Sequence, residues 1–257
     1  MSQLESTYLE NYQPLLMSFA ASLEGLNLSN VPEPHLPVFG ETYETAKDKI
    51  LFMGWETRGS KGLAEFIHVI NENPKEALFW WNKEFRDFEF VYWRSNFGRD
   101  FWSFNLQFLA RFYGVEDWRN FYYDPRSYSD ILSSIAWANA NSIERYEVTA
   151  EKIGVDHSTW FNVYKASDIF DNPHLIFNTL KPTLTILTYW NHDQERLLKG
   201  LEIESIEKPF PDYLWHIKVK NPDMHLFWTK HPIRLSLEGI KFNDVIDQII
   251  SIYRKTI

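Results

Sequence analysis

The sequence contains no cysteine. That excludes disulfide staples, thiolate–metal sites and a cysteine nucleophile, and it accords with a reducing compartment. There is no apolar run long enough to span a bilayer, and the first residues lack the basic start and apolar core of a secretory signal. The expectation is a cytoplasmic protein with no membrane partner. Positive charge is also in deficit. The formal net charge is −9, whereas broad, nonspecific binding to a phosphate backbone needs a basic surface from which counterions are released. Net charge leaves room for one local basic groove. Metal-ligand spacing is missing too: His157, His174, His192 and His216 are scattered and no His-Glu-x-x-His occurs. No metal and no cofactor is therefore expected.

What the chain does have is size and aromatic mass. At 257 residues, 44% hydrophobic and 24% charged, it can bury a substantial core. The 11 Trp, 13 Tyr and 20 Phe exceed what most cores need, so some of them are candidates to line a planar-ligand pocket or stack on bases.

From Gln3 to Leu23 apolar residues recur at three- and four-residue intervals, which predicts an amphipathic helix. Pro32, Pro34 and Pro37 then predict an extended surface connection. Residues 1–45 thus form a helix and a connection packed on the body of the fold. Strands are expected at Ile50–Met53, Ile131–Ala138, Thr183–Tyr189, Ile203–Glu207, Tyr213–Val219 and Met224–Trp228. Helices are expected at Leu63–Asn71, Phe101–Tyr113, Trp160–Leu180 and Gly239–Tyr253, and Tyr92, Trp93 and Phe97 fall in a loop. No repeat, low-complexity tract or linker interrupts the pattern. It predicts a single α/β domain spanning residues 1–257, a monomer with a three-layer α/β/α sandwich around a mostly parallel central sheet.

The chemistry gathers at strand ends. After Ile50–Met53 the chain reads Gly54-Trp55-Glu56-Thr57-Arg58-Gly59-Ser60-Lys61-Gly62. This nearly matches a phosphate-binding P-loop, but the lysine falls one residue late and Gly62 stands where the magnesium-binding hydroxyl belongs. A carboxylate in such a loop, at the carboxyl end of a strand, suits general-base work or stabilisation of a cation. A second strand ends in Asn139-Ala140-Asn141. A third leads into His231-Pro232-Ile233-Arg234-Leu235-Ser236, where the proline would rigidify the turn that holds the imidazole.

That order of motifs resembles the uracil-DNA glycosylase superfamily. Its first loop, Gly-Gln-Asp-Pro-Tyr in the best-known branch, corresponds to Gly54–Arg58, and its late loop, His-Pro-Ser-Pro-Leu-Ser, to His231–Ser236. Gly98-Arg99-Asp100-Phe101-Trp102 is similar to the Gly-Asn-Arg-Phe-Trp helix start of the mismatch-specific branch. The likeness spans about residues 50–250. It implies the fold of that superfamily and a metal-independent hydrolase whose partner is DNA. Such an enzyme breaks the N-glycosidic bond of an aberrant or modified base flipped out of the stack.

By this resemblance Glu56 would stabilise the oxocarbenium-like sugar and position water, and His231 would donate a hydrogen bond to the departing base. Asn139, or alternatively Asn141, would read the base edge, while Trp93, Tyr92 or Phe97 would stack on it. Leu235 or Arg234, between Pro232 and Ser236, would fill the gap left in the duplex. Departures from the family carry information. Glutamate replaces the family's aspartate, and Trp55 and Arg58 replace the Gln and the Tyr that excludes larger pyrimidines. The pocket would then admit a bulkier modified base, as in foreign phage DNA, or Arg58 would contact a phosphate. The competing expectations are a noncatalytic base-binding protein on the same fold and a hydrolase of nucleotide-type small molecules.

Overall fold

The computed structural model describes residues 1–55, 62–93, 99–143, 154–189 and 194–256. They divide into two compact units: residues 1–38, 55–83 and 138–180 form the first, and residues 39–54, 84–137 and 181–257 the second.

In the first unit, α1 (Gln3–Ser22) begins at a capping box. Ser2 Oγ accepts from the Glu5 N–H at 3.1 Å and the Glu5 carboxylate accepts from the Ser2 N–H at 3.0 Å. Its apolar stripe, Leu4, Tyr8, Tyr12, Leu16 and Phe19, is buried. It packs against α2 (Leu63–Glu72), α3 (Pro74–Leu78), α9 (His157–Ser167) and α10 (Pro173–Leu180). The expected long helix at Trp160–Leu180 is thus two helices. Pro173 opens the second, and the side chain of Asn172 accepts from the N–H groups of His174 and Leu175. The proline-rich stretch is extended as expected, but it does not lie on the surface. Residues 31–38 are buried, and three hydrogen bonds tie them in locally: His35 N–H donates to Ser142 O at 2.7 Å, Leu63 N–H to Val31 O at 3.0 Å, and Gly62 N–H to the Glu33 carboxylate at 3.0 Å.

Seven strands form one sheet among the described residues: β1 (Val38–Phe39), β2 (Ile50–Gly54), β3 (Ile135–Asn139), β4 (Leu184–Thr188), β5 (Glu202–Phe210), β6 (Leu214–Asn221) and β7 (Met224–Thr229). Their order is β1-β3-β2-β4-β7-β6-β5. β2, β4 and β7 are parallel, and β7, β6 and β5 form an antiparallel meander. β2, β4 and β7 are buried on both faces, as expected of near-continuous apolar runs. β3 begins four residues later than its apolar run suggested, because Ser129–Leu132 form a helical turn, α8.

β5 is the exposed edge, with Glu202, Glu204, Ile206 and Glu207 open to solvent and register shifts along its pairing with β6. In the second unit α6 (Arg99–Tyr113) packs on α13 (Phe242–Thr256), where Arg111 grips Asp247 through two hydrogen bonds of 2.7 Å. The residues from Phe79 to Trp93 include two short helices, α4 (Trp80–Arg86) and α5 (Phe90–Trp93), so Tyr92 and Trp93 lie on a helix rather than in a loop. Among the described residues no helix is long and apolar enough to cross a membrane.

Candidate functional site

In the second unit the parallel register aligns the carboxyl ends of β2, β4 and β7 on one edge of the sheet: Met53 pairs with Leu187, and Thr188 with Thr229. Gly54 ends β2 there. The ends of β2 and β7 lie two strand spacings apart, about 10 Å. Chain order reverses around β2, with β3 on one side and β4 on the other. Such a switch point is where open α/β sheets bind ligands. Two hydroxyls missed in the sequence lie on this edge. Thr188 Oγ1 donates to Met53 O at 3.4 Å, while Thr229 Oγ1 is fully buried with no hydrogen-bond partner.

His231 follows β7 and is the N-cap of a helix, α12 (Pro232–Leu237), where the sequence suggested a loop. Pro232 at the first helical position explains the helix start. The Ile233 N–H donates to His231 Nδ1 at 3.3 Å. A ring nitrogen that accepts carries no proton, so the neutral ring holds its proton on Nε2 and presents a donor there. Burial, the largest cause, pushes the imidazole below its ordinary pKa. Asp100 opposes that shift and Arg234 adds to it. His231 is therefore a neutral donor at physiological pH.

Of the two wedge candidates on α12, burial removes Leu235 and leaves Arg234 exposed. Leu235 is 0% exposed and Pro232 is buried, so neither is available to enter a duplex. The exposed side chains are Ile233, Arg234, Ser236 and Leu237. Ser236, with Gln107, Lys241 and Asn243, lines an open groove of about 320 Å³. Tyr92 is 39% exposed, with its ring edge-on to Tyr122 at 5.3 Å. Trp93 ends α5, and its side chain lies outside the described residues, as do Glu56, Thr57, Arg58 and Phe97.

In the first unit, Trp55 is half-buried and its carbonyl accepts from the Asn141 N–H at 2.7 Å. Asn139, the last residue of β3, is buried and already engaged. Asn141 is 0% exposed, and neither Oδ1 nor Nδ2 has a hydrogen-bond partner. Of the two amides that the sequence left open, Asn141 is the one whose side-chain atoms have no hydrogen-bond partner.

One further cluster in the second unit is structural. Lys218 Nζ lies 3.2 Å from His225 Nε2, His225 Nδ1 lies 2.9 Å from His216 Nε2, and His216 Nδ1 lies 3.7 Å from the Glu207 carboxylate. With protons on Nδ1 of both rings, Lys218 donates to His225 and His225 donates to His216, whose own Nδ1 faces the Glu207 carboxylate at ion-pair distance without a hydrogen bond. The two imidazoles are coplanar, joined edge to edge, and buried. Burial is the first cause holding both below their ordinary pKa, His225 at about 4. His225 lies near the start of β7, whereas His231 lies two residues beyond its end at Thr229, so the pair serves the core and not the sheet's carboxyl edge. Among the described residues no group of three or more His, Asp and Glu is arranged to hold a metal ion.

Comparison of the chain with protein-family models, with curated proteins and with solved structures found no match.

Proposed function

We propose that the chain is a monofunctional DNA glycosylase of the uracil-DNA glycosylase type, built on an α/β/α sandwich, which hydrolyses the N-glycosidic bond of a modified base. The observation that carries this reading is His231. An imidazole kept neutral by burial, with Nδ1 occupied by the Ile233 N–H and Nε2–H left as donor, is suited to a leaving group that develops negative charge. One further feature of the same unit supports it: the switch point at β2 beside Gly54.

In this mechanism the bond between C1′ and the base nitrogen breaks and its electron pair leaves with the base. The His231 Nε2–H stabilises that anion, which afterwards takes a proton from water. Glu56 balances the sugar cation and orients the water that adds to C1′, losing its proton to the carboxylate. By the resemblance, the amide of Asn139 or of Asn141 would read the base edge. By the same resemblance, Arg58 in place of the family's size-excluding Tyr would admit a base bulkier than uracil, of the sort carried by phage DNA.

The test is release of abasic sites from a panel of phage genomic DNAs and oligonucleotides carrying different base modifications, with wild type and Glu56→Gln. Cleavage of at least one substrate by wild type, reduced 100-fold or more in Glu56→Gln, is expected. Inactivity on the whole panel, or equal rates for the two proteins, would overturn the reading.

A further inference from the structure

A second unpaired amide lies in the second unit, on α6. Asn105 is 0% exposed, and both Oδ1 and Nδ2 lack a hydrogen-bond partner. It lies on the helix stripe that also carries Phe101, Phe108 and Phe112. Phe101 is 6.3 Å from the ring of Trp137 on β3 and Phe108 is 6.0 Å from that of Phe52 on β2, so the stripe faces the sheet.

The direction of α6 follows from its two ends. Asp100 in the first turn acts on His231, just beyond the carboxyl end of β7. Tyr113 at the last turn is acted on by Ser134 and Asp48, which precede β3 and β2. The helix therefore runs opposite to β2. Three residues at 1.5 Å each place Asn105 about 4.5 Å nearer the carboxyl edge than Phe108, or about one and a half strand residues past Phe52. That is the level of Met53 and Gly54, the floor of the switch point.

A fully buried primary amide with neither atom paired carries a desolvation penalty that a leucine of similar volume would not. We infer that Asn105 is a ligand contact. Its carbonyl accepts from, and its amino group donates to, a planar heterocycle that presents a hydrogen-bond donor and acceptor side by side, as the pairing edge of a nucleobase does. The inference rests on the proposed function in taking that heterocycle to be a base. It goes further in giving the unit that bears His231 a base-reading amide of its own and in making Asn105 a specificity-determining residue.

The experiment is titration of wild type, Asn105→Leu and Phe108→Leu with free uracil, cytosine, adenine and guanine, followed by isothermal calorimetry, with thermal melting of each protein alongside. Wild type should bind at least one base. Asn105→Leu should bind it at least 10-fold more weakly while melting at the same or a higher temperature, and Phe108→Leu should melt lower with its affinity unchanged. Equal affinity of Asn105→Leu and wild type, or no base bound by wild type, overturns the inference. Base binding lost in Asn105→Leu together with no excision by wild type on any DNA would sink the glycosylase reading and leave this one standing. Excision unaffected by Asn105→Leu would do the reverse.

Discussion

The main-chain N–H of Asn141 donates to the carbonyl of Trp55 at 2.7 Å, so the residue with the unpaired amide is tied by its backbone to the first residue past β2. Fixing the main chain removes freedom that the amide would otherwise lose on meeting a ligand. Asn141→Leu should therefore separate function from stability. The variant drops an unpaired buried polar group whose burial costs about 1–3 kcal/mol. Its melting temperature should hold or rise, while abasic-site release falls 100-fold or more. A melting temperature several degrees lower, with activity intact, would make the amide a structural group.

His231 both caps α12 and offers Nε2–H, and two variants part these roles. Asn at this position retains an acceptor for the Ile233 N–H but has no ring donor, whereas Ala loses both. His231→Asn should be within about 0.5 kcal/mol of wild type in denaturant unfolding, and His231→Ala lower by about 1 kcal/mol. Both should lose about 10²–10³-fold in excision rate, the usual cost of removing one donor to a developing anion. Equal activity of His231→Asn and wild type would remove the donor from the mechanism.

The hydrogen-bonded pair His216 and His225 gives the fold an acid limit. An unfolded imidazole takes up a proton near pH 6.5, whereas His225 in the fold does so at about 4. Between those values the unfolded chain binds more protons. Stability is therefore full above about pH 6.5, falls as pH drops towards 4, and levels off below. For His225 the loss is on the order of 1–3 kcal/mol. The double variant His216→Phe/His225→Leu should show a flatter melting-temperature profile between pH 4 and 7. His35, which burial holds at about 3, still contributes to the slope that remains. Superimposable profiles for wild type and variant would refute this account.

Gly40 marks a backbone crossing with no room for a side chain. A Cβ there would lie 2.1 Å from the carbonyl oxygen of Ser133, and that segment is held by Gly40 N–H to Ile135 O at 2.9 Å and Thr42 N–H to Ser133 O at 3.1 Å. Both sides of the clash are main chain, so neither can swing away. Gly40→Ala should cost about 2–3 kcal/mol or more in unfolding free energy. A loss under about 0.5 kcal/mol would mean that the strands part freely.

The parallel strands were legible in the sequence because a buried strand is a short apolar run with turn residues at its ends, and β2, β4 and β7 all have that form. The start of β3 was not. Ile131 and Leu132 are as apolar as the strand that follows, and periodicity cannot divide an eight-residue apolar run into a helical turn and a strand. The break before Pro173 was readable in principle, since Asn-Asp-type caps before a proline start helices, but the helical spacing on either side concealed it. Leu235 looked exposed as part of a loop. Once Pro232 starts a helix, Leu235 falls one turn on, on the same buried face. Asn105 was hidden among phenylalanines, where a lone polar residue on an apolar stripe is the signal to look for. Asn141 could be preferred over Asn139 only after hydrogen bonds were assigned, because two amides two residues apart share chemistry and strand face alike.

β5 has a consequence for how the molecule lives in a crowded cell. Its inner side is taken by β6, and its outer side bears Glu202, Glu204 and Glu207 on a strand whose register slips along its length. A neighbouring chain that tried to extend the sheet would meet like charge and a bent, unmatched ladder. The irregular register and the exposed carboxylates thus disfavour extension of the sheet at β5 by a second copy. The weak point is Ile206, the apolar residue that this guarded edge leaves in the open.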